Sequence, residues 1–362
     1  ENLGFTGFLF LPKHSRLFSL HSHINMEPFL GFWGQLKKPI FVLAPLANVT
    51  DAVFRAHIVK HSKPAVIWTE FVAADGLCHP KGRAALIRDL KFSEAERPIV
   101  AQLFTSNPEN MREAAKLCAE LGFDGIDINM GCPDKNVMKQ GAGAACMKDP
   151  VLAQALVVAA RQGTIEAGKE LPISVKTRLG FNEDNLEEWL PALLLAKPAV
   201  ITVHARTKKD MSKVPARWER IKRAVEIARG SGTLILGNGD ARDMADAEEK
   251  VKQTGADGVM FGRAIFGNPW LFDKDKKVTV RERVESAVAH TKLFEETWGP
   301  TKSFELMKKH YQAYINHFPL AKELRIELMN CHQASEVATI TEKFLLEHPD
   351  IADEIVVPIL KL

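Results

Sequence analysis

The sequence predicts an α/β protein, a TIM (β/α)8 barrel followed by a C-terminal all-helical domain. The first observation is a series of eight short apolar runs between Pro39 and Trp270, separated by longer stretches of helical periodicity. The runs are continuously apolar rather than alternating, which is typical of parallel strands covered on both faces. The second observation is that, after Trp270, apolar residues recur only with the spacing of α-helices. Eight such units over about 230 residues favour a closed barrel.

The composition excludes several classes of protein. With 46% hydrophobic and 26% charged residues, the chain of 362 residues can bury a large core and is not a disordered protein. The formal net charge is only +3, so no overall basic character indicates nucleic acid. Five cysteines, an odd number, argue against a secreted disulfide framework. Since no apolar run reaches the roughly 18 residues of a membrane span, we expect a cytoplasmic protein without membrane contact.

Residues 1–38 precede the first apolar run, and we expect them to form an N-terminal extension that is partly disordered. The apolar segment 7–12 is short and no basic segment comes before it, so we do not expect a signal peptide. Met26 is an alternative start of the protein.

The eight apolar runs are the predicted barrel strands. In chain order they are Ile40–Pro45, Ala65–Glu70, Ile99–Phe104, Gly125–Asn129, Ile173–Thr177, Val200–His204, Leu234–Gly237 and Gly258–Phe261. Helices are predicted between them over Asn110–Leu121, Pro150–Gly163 and Arg217–Arg229. An open doubly wound sheet would place a G-x-G-x-x-G turn after its first strand. The nearest match, Gly141–Cys146, lies in the middle of the chain and lacks the third glycine, so we prefer a barrel over residues 39–272.

The segment after the barrel predicts a separate helical domain. Asp273–Lys277 is a charged linker, and residues 278–362 form the predicted helical domain. Within Lys302–Arg325 there are five basic and two acidic residues. Three aromatic residues interleave with them, namely Tyr311, Tyr314 and Phe318. This pattern suits a surface that binds RNA, and equally a solvated helix face over an aromatic core.

Polar and conformationally special residues follow the carboxyl ends of the predicted strands, where barrels carry their active sites. Candidate site residues at these ends are Ala44, Pro45, Gln102, Asn129, Cys132, Lys176, Arg178, His204, Asn238, Gly239, Asp240, Gly262 and Arg263. One polar strand end is common, whereas polar ends on so many strands in register favour a functional site.

The last two strand ends indicate a phosphate site. Gly237–Gly239 and Gly262–Arg263 follow the seventh and eighth strands, where barrels commonly bind phosphate with backbone N–H groups and a helix N-terminus. The alternative is that both segments are simple glycine turns between strand and helix.

Lys176 lies on an apolar run, and a core-facing lysine without a partner is costly. It requires an acceptor such as the electron-rich N1/O2 edge of a flavin, whose anionic reduced ring a cation stabilises. Gln102 can bond the ring edge as donor and acceptor together. The alternative partner of Lys176 is a barrel carboxylate, either Glu70 or Asp127.

Cys132 is held in a loop between Gly131 and Pro133, where a thiol can act as an acid or a nucleophile. The other four cysteines show no C-x-x-C spacing, so we expect no zinc or other metal site.

The segment Asp127–Pro133, followed by Gly141–Ala144, resembles the signature of the tRNA-dihydrouridine synthases, and the bacterial branch is the most similar. Further motifs of that family occur in the same order. They are Ala44-Pro45, Val49–Asp51, Phe54-Arg55, Val175–Gly180, His204–Thr207, Gly237–Asp240, Gly262–Ala264 and Gly267–Trp270. The resemblance covers about residues 39–330. Leu46 and Ala205 depart from it, because the family usually has Met and Gly there.

The resemblance implies an FMN-dependent enzyme that uses NADPH to reduce the uracil C5–C6 double bond of specific uridines in tRNA. A hydride goes to C6, Cys132 protonates C5, and Asn129 and Arg178 hold the extruded base. The remaining candidates would bind FMN. Its ring and ribityl chain would be contacted by Gln102, Lys176 and His204, and its phosphate by Asn238, Gly239, Gly262 and Arg263. The cofactor would also be contacted by Ala44, Pro45 and Asp240. A thiol with a pKa near about 8.5 is protonated at neutral pH and can serve as this acid. We expect tRNA as partner and a monomer.

Two alternatives stay open at this point. One is an FMN-dependent TIM-barrel oxidoreductase that acts on a small molecule, similar to a dihydroorotate dehydrogenase or an ene-reductase. It shares the phosphate site and Lys176 but does not explain the helical domain. The other is a non-catalytic RNA-binding protein, against which the combination of Cys132, Lys176 and Arg178 argues.

Overall fold

The computed structural model describes residues 27–299 and 301–356 of the chain. Most of the predicted N-terminal extension, residues 1–26, lies outside the described residues. The described part of it is packed, because Gly31–Gln35 forms a 3-10 helix whose Trp33 is 1% exposed. The ring of Trp33 lies 5.8 Å from that of Trp68 at the base of the sheet.

Nine strands form one parallel sheet. They are β1 Ile40–Leu43, β2 Ile67–Trp68, β3 Val72–Ala73, β4 Ile99–Phe104, β5 Gly125–Asn129, β6 Ile173–Arg178, β7 Val200–His204, β8 Leu234–Asn238 and β9 Gly258–Phe261. Their order is β1-β9-β8-β7-β6-β5-β4-β2, with β3 also paired to β4. Two hydrogen bonds close the ring, from Ala65 N to Phe41 O at 2.9 Å and from Leu43 N to Val66 O at 3.4 Å. The predicted TIM barrel is confirmed.

The predicted second strand, Ala65–Glu70, is wrong as a continuous strand. Only Ile67–Trp68 of it forms a strand, β2, and a second short strand, β3, follows beyond its predicted end; the two pair with different parts of β4. The physical reason is the side chain of Thr69, whose hydroxyl accepts the backbone N–H of Gln102 at 3.1 Å. This bond replaces the hydrogen bond that the N–H of Gln102 would otherwise donate to a backbone carbonyl of the neighbouring strand. The chain then bends away between the two short strands.

Helices cover the outside of the barrel and form the C-terminal region. The barrel helices are α1 Ala52–His61, α2 Ala74–Cys78, α3 Pro80–Leu86, α4 Pro108–Glu120, α5 Lys135–Lys139, α6 Pro150–Glu166, α7 Leu186–Leu194, α8 Trp218–Ala228 and α9 Met244–Thr254. The C-terminal helices are α10 Val280–Trp298, α11 Glu305–Tyr314, α12 Ala321–Leu328, α13 Ala334–Glu347 and α14 Pro349–Ala352. Within the described ranges, no helix is long and apolar enough to cross a membrane.

The helix boundaries follow from capping residues. Helix α4 begins two residues before the predicted Asn110, because Asn107 accepts the N–H groups of Glu109 and Asn110 and Pro108 takes the first helical position. Helix α10 begins with a capping box in which Thr279 and Glu282 satisfy each other's backbone N–H groups. The N-termini of α4 and α10 are therefore set by neighbouring capping residues, which are local features of the sequence.

The C-terminal helices enclose their own apolar core, which decides between the two interpretations of the basic and aromatic segment. Tyr311 is 0% exposed and Tyr314 is 1% exposed, and both belong to that core. The aromatic residues therefore stabilise the helical region rather than presenting rings to RNA. Phe318 is partly buried and its ring lies 6.1 Å from that of Phe344.

Candidate active site

A cavity of about 340 Å³ opens at the carboxyl ends of the barrel strands, and it is within the size range of small-molecule sites. Every site residue predicted from the sequence lines it. They are Ala44, Pro45, Gln102, Asn129, Cys132, Lys176, Arg178, His204, Asn238, Gly239, Asp240, Gly262 and Arg263. The barrel brings them together because parallel strands end at the same rim.

Cys132 lies in a loop that is held on several sides. The Asn129 side-chain oxygen accepts the backbone N–H groups of Gly131 at 3.1 Å and of Cys132 at 2.9 Å. The Cys132 carbonyl accepts from Ala144 N at 2.9 Å. A Cβ added to Gly143, whose φ is +59°, would lie 2.8 Å from that carbonyl, so glycine lets this segment approach the loop.

Burial raises the pKa of the Cys132 thiol above its ordinary value, while the nearby cations Arg178 and Lys176 act in the opposite direction. The raised pKa keeps the thiol protonated at neutral pH. The group is therefore suited to donate a proton and is a poor nucleophile.

Lys176 is a partly buried cation on β6. Its amino group donates to Asn238 Oδ1 at 3.3 Å, and it forms no ion pair within 4.0 Å with an acid of the described ranges. The predicted alternative, a salt bridge to Glu70 or Asp127, is therefore wrong for these residues. Burial and the charge of Arg178 lower the pKa of Lys176 to about 8, because the carboxylate of Asp127, which lies beyond ion-pair distance, only partly offsets them.

Arg178 continues the same face of β6. Its Nε donates to Gly131 O at 2.7 Å, and one Nη donates to Thr207 O at 3.1 Å and to Met211 O at 3.3 Å. Backbone carbonyls hold the guanidinium, so its charge has no carboxylate counterion within 4.0 Å among the described residues. Burial lowers the pKa of Arg178 to about 10, and the group stays charged at neutral pH.

Asp240 accepts hydrogen bonds from two arginines, Arg206 at 2.5 Å and Arg263 at 2.7 Å. Arg206 also donates to His204 Nε2 at 3.2 Å, and since a guanidinium only donates, His204 carries its proton on Nδ1. Burial, together with the surrounding cations, lowers the pKa of His204 well below its ordinary value, so the ring is neutral. The two arginines neutralise the charge of Asp240, which lines the cavity together with Arg263.

Glycines lie at the ends of β8 and β9, and one of them borders open space. Gly239 has a φ of +126°, and a Cβ there would lie 2.8 Å from that of Ala216. A Cβ on Gly262 would meet nothing within 4 Å, so any side chain at this position would project into the cavity. Gly239 is thus required by packing, whereas the open space at Gly262, beside Arg263, fits a phosphate group.

A second and larger cleft, of about 910 Å³, continues from the cavity towards helices α10 and α11. The two share residues Ala47, Phe71, Cys132, Pro133 and Met211. Four cations line the cleft, namely Arg88, Lys135, Lys302 and Lys309. Glu70, the end of the predicted second strand, lines this cleft and not the cavity.

Sequence reasoning missed several lining residues that carry no polar strand-end signal. Phe71 lies between the two short strands β2 and β3, and its ring packs edge-on against Phe104 at 5.6 Å. Met211 and Ser212 come from the loop after β7, where Met211 has a φ of +54°. The lysine-rich sequence around Met211 offered no apolar or catalytic pattern from which to predict contact with the cavity.

Comparison with known proteins identifies a family. Residues 42–349 match the family model described as dihydrouridine synthase. A probable tRNA-dihydrouridine synthase of Staphylococcus aureus (strain MRSA252) is 37% identical over 320 residues, which cover 87% of this chain and 95% of the relative. A probable tRNA-dihydrouridine synthase 2 of Bacillus subtilis (strain 168) is 38% identical over 327 residues, which cover 88% of this chain and 98% of the relative.

Among solved structures, 2-naphthoyl-CoA reductase in complex with 2-naphthoyl-CoA matches with a TM-score of 0.49 and 10% identity, covering 65% of this chain and 49% of that one. Histamine dehydrogenase from Rhizobium sp. 4-9 matches with a TM-score of 0.47 and 14% identity, covering 70% of this chain and 48% of that one.

Proposed function

The chain belongs to the dihydrouridine synthase family, and from this premise we propose that it reduces the C5–C6 double bond of uracil in specific uridines of tRNA. The enzyme is a flavin-dependent oxidoreductase. The observation that carries the proposal is the arrangement of one cavity in which a protonated thiol, Cys132, faces the same space as two cations without carboxylate partners, Lys176 and Arg178.

We propose FMN as the flavin and NADPH as its reductant. When bound, the flavin supplies the hydride that is added to C6 of the uracil ring. Lys176 and Gln102 would hold the ring, and Gly239, Gly262 and Arg263 would hold the phosphate. The fit rests on charge and on space, because buried cations require an anion and the space at Gly262 is open.

Cys132 supplies the proton that completes the reduction. Hydride addition at C6 leaves carbanion character at C5 and negative charge at O4, and a proton must then reach C5. The thiol is protonated at neutral pH because its pKa is raised, so it transfers the proton and becomes a thiolate. Arg178 and Asn129 lie beside it in the cavity and would hold the uracil through its polar edge.

The target base must leave the folded tRNA to reach this cavity. The cleft between the barrel and helices α10 and α11 leads to Cys132, and four cations line it together with four acids, Asp51, Glu70, Asp89 and Asp134. We propose that the strand carrying the target uridine runs through this cleft. A cytoplasmic location follows from the tRNA substrate, while the monomeric state and the domain bounds 39–272 and 278–362 stay predictions.

The two alternatives are not favoured by the family relationship. A small-molecule oxidoreductase would have no use for the second, larger cleft that joins the cavity, and a non-catalytic RNA-binding protein would have no use for a protonated thiol beside buried cations.

The test is the conversion of uridine to dihydrouridine in unmodified tRNA transcripts by the purified protein with FMN and NADPH, measured by mass spectrometry of nuclease digests. Free uridine monophosphate and orotate, each of which carries a reducible C5–C6 double bond, serve as matched small-molecule substrates. We expect product in tRNA alone. Turnover of the small molecules without any tRNA product would reject the proposal.

A further inference from the structure

Asp127 is a buried carboxylate in the barrel that no step of the proposed reaction uses. It lies on β5, is 0% exposed and does not line the cavity. Burial raises its pKa to about 6, so the group is still ionised at neutral pH and can then only accept hydrogen bonds. Its two oxygens accept from Gln102 Nε2 at 2.7 Å and from Ser174 Oγ at 2.5 Å.

A chain of hydrogen bonds connects this carboxylate to the loop of the catalytic thiol. Gln102 donates to Asp127 through Nε2 and accepts through Oε1 from Asn129 Nδ2 at 3.1 Å. Asn129 in turn accepts, through Oδ1, the backbone N–H groups of Gly131 and Cys132. The chain thus runs from Asp127 through two amides to the residue that delivers the proton.

The polarity of this chain is fixed from both ends. Backbone N–H groups can only donate, so Asn129 must present its oxygen to the loop and its NH2 group to Gln102. Gln102 must then accept from Asn129, which leaves its own NH2 group facing Asp127. Only an acceptor can complete the chain at that position, and an ionised carboxylate is an acceptor in every orientation.

Strand register brings the members together. Gln102 on β4 pairs with Asp127 on β5, and Asp127 pairs with Ser174 on β6. Asp127 and Asn129 are two residues apart on one strand, so both side chains point into the barrel. The barrel strands therefore fix the side-chain amides of Gln102 and Asn129, and Asn129 in turn orients the backbone amides of the loop.

We propose that Asp127 is a positioning residue for proton transfer: through Gln102 and Asn129, its carboxylate holds the loop of Cys132 in the geometry from which the thiol reaches the substrate. The proposal rests on the proposed function. The carboxylate touches neither cofactor nor substrate and acts only as the terminal acceptor of the chain. Loss of that acceptor frees Gln102 to rotate and leaves the loop amides of Gly131 and Cys132 without a fixed partner.

The first experiment separates the two half-reactions in the FMN-loaded enzyme by stopped-flow absorbance. Asp127→Leu removes the acceptor, and Asp127→Asn removes the same charge but keeps an acceptor oxygen. For D127L we expect bleaching of the flavin by NADPH within about tenfold of wild type, since the released Gln102 would also contact the flavin ring, and return of the colour on addition of tRNA slower by about 100-fold. For D127N we expect both rates within about tenfold of wild type.

Two results would overturn the proposal. Equal slowing of both half-reactions in D127L would assign Asp127 to the flavin or to folding. Equal damage in D127N and D127L would show that the charge matters and not the acceptor. If wild-type enzyme is not reoxidised by any tRNA, the proposed function fails, and the positioning role is then judged by the second experiment alone.

The second experiment needs no turnover and covers the case in which D127L does not fold. In Asn129→Asp, two carboxylates flank the Gln102 amide, and one of them must face its oxygen. Exchanging the residues in the double variant D127N/N129D reverses the polarity of the chain and satisfies every link. The carboxylate now at position 129 accepts from the loop and from Gln102, and the amide now at position 127 donates to Gln102 and accepts from Ser174. The exchange also keeps the net charge of the wild type.

Thermal unfolding of wild type, the two single variants and the double variant measures the coupling. We expect N129D to melt about 5 °C below wild type and the double variant to recover most of that loss, although it carries one more substitution. N129D and the double variant have the same carboxylate beside Lys176, so attraction to that cation does not explain a recovery. Additive effects of the two substitutions would show that no chain of fixed polarity connects Asp127 with the loop.

Discussion

Two regions of the molecule bury titratable side chains, and they differ in what those side chains face. At the barrel mouth, Lys176 and Arg178 border an open cavity and have no carboxylate within 4.0 Å among the described residues. Where α1 packs on α10, His57 Nε2 lies 2.8 Å from Ser286 Oγ, and its ring stacks on that of His290 at 5.1 Å.

The histidine cluster is neutral, although His290 and His310 border the larger cleft, whereas the cavity contains cations without a carboxylate partner among the described residues. His310 completes the cluster with its ring 4.8 Å from that of His290, and burial lowers the pKa of every member. Burial of a titratable group is therefore not by itself a mark of function. The distinguishing feature is an unneutralised charge next to space that a ligand can fill.

The largest expected effect is that of Cys132→Ala. Without its proton donor, the enzyme should form dihydrouridine about 1,000-fold more slowly, because a positioned general acid contributes about 100- to 10,000-fold. Flavin and tRNA binding should be retained. The measurement is product formation in single-turnover assays, with Cys78→Ala as the control outside the cavity. Wild-type rates in the C132A variant would remove the thiol from the mechanism and weaken the contrast between the regions.

The second prediction concerns Lys176→Met. The uncharged side chain of similar length should weaken FMN binding by about 100-fold, since a charge-assisted contact to the flavin is lost, and it should stabilise the ligand-free protein by about 1 kcal/mol, since a buried unpaired cation is removed. Fluorescence titration with FMN and urea unfolding of the ligand-free protein measure the two effects. If the variant binds FMN normally, the cation does not face the flavin.

The third prediction tests the histidine cluster by pH. Burial lowers the pKa of His57 to about 2 and of His310 to about 3, while in the unfolded chain an imidazole takes up a proton near about 6.5. The unfolded state thus binds more protons below that pH, so stability is complete above it and falls as the solution becomes more acidic.

We expect a loss of roughly 1 kcal/mol per buried histidine for each pH unit below about 6.5. Urea unfolding between pH 7.5 and pH 5.5 measures it. His310→Leu should make the dependence shallower, because one buried imidazole is removed. An equal dependence in wild type and H310L would show that the cluster does not stay neutral in the folded protein.

The smallest effect is expected in thiol reactivity. Because the pKa of Cys132 is raised, its alkylation by iodoacetamide in the flavin-loaded protein should stay several-fold slower than that of a free thiol at neutral pH and should increase as pH rises. Peptide mass spectrometry follows the modification of each cysteine separately. Rapid alkylation of Cys132 near neutral pH would indicate a thiolate and would contradict its role as an acid.

The agreement between sequence and structure is greatest where the signal is local. The runs Ile99–Phe104, Gly125–Asn129, Val200–His204 and Gly258–Phe261 have the predicted bounds, because continuous apolar residues define a strand buried on both faces. The predicted Ala65–Glu70 was wrong as one strand, because the hydroxyl of Thr69 replaces a carbonyl in the ladder, a choice that depends on Gln102 of another strand.

Site residues were predictable where strand ends carry them, since the barrel rim converts chain order into proximity. Phe71 and Met211 could not be predicted, because the path of a loop brings each of them to the cavity and no sequence pattern indicates that path. Tyr311 and Tyr314 show the same limit, since basic and aromatic spacing fits both an RNA surface and a helical core until the packing of α10 against α11 is known.

The sequence by itself determined the closed barrel, the helical region after it, and which side chains meet at the rim, because apolar periodicity and strand-end chemistry are local properties. Only the tertiary structure decided the charge and orientation of those side chains. The pKa of Lys176, the pairing of Asp240 with two arginines and the chain from Asp127 to the loop of Cys132 all depend on distances between different strands. Electrostatic energy and hydrogen-bond direction vary with such distances, and a linear sequence does not contain them.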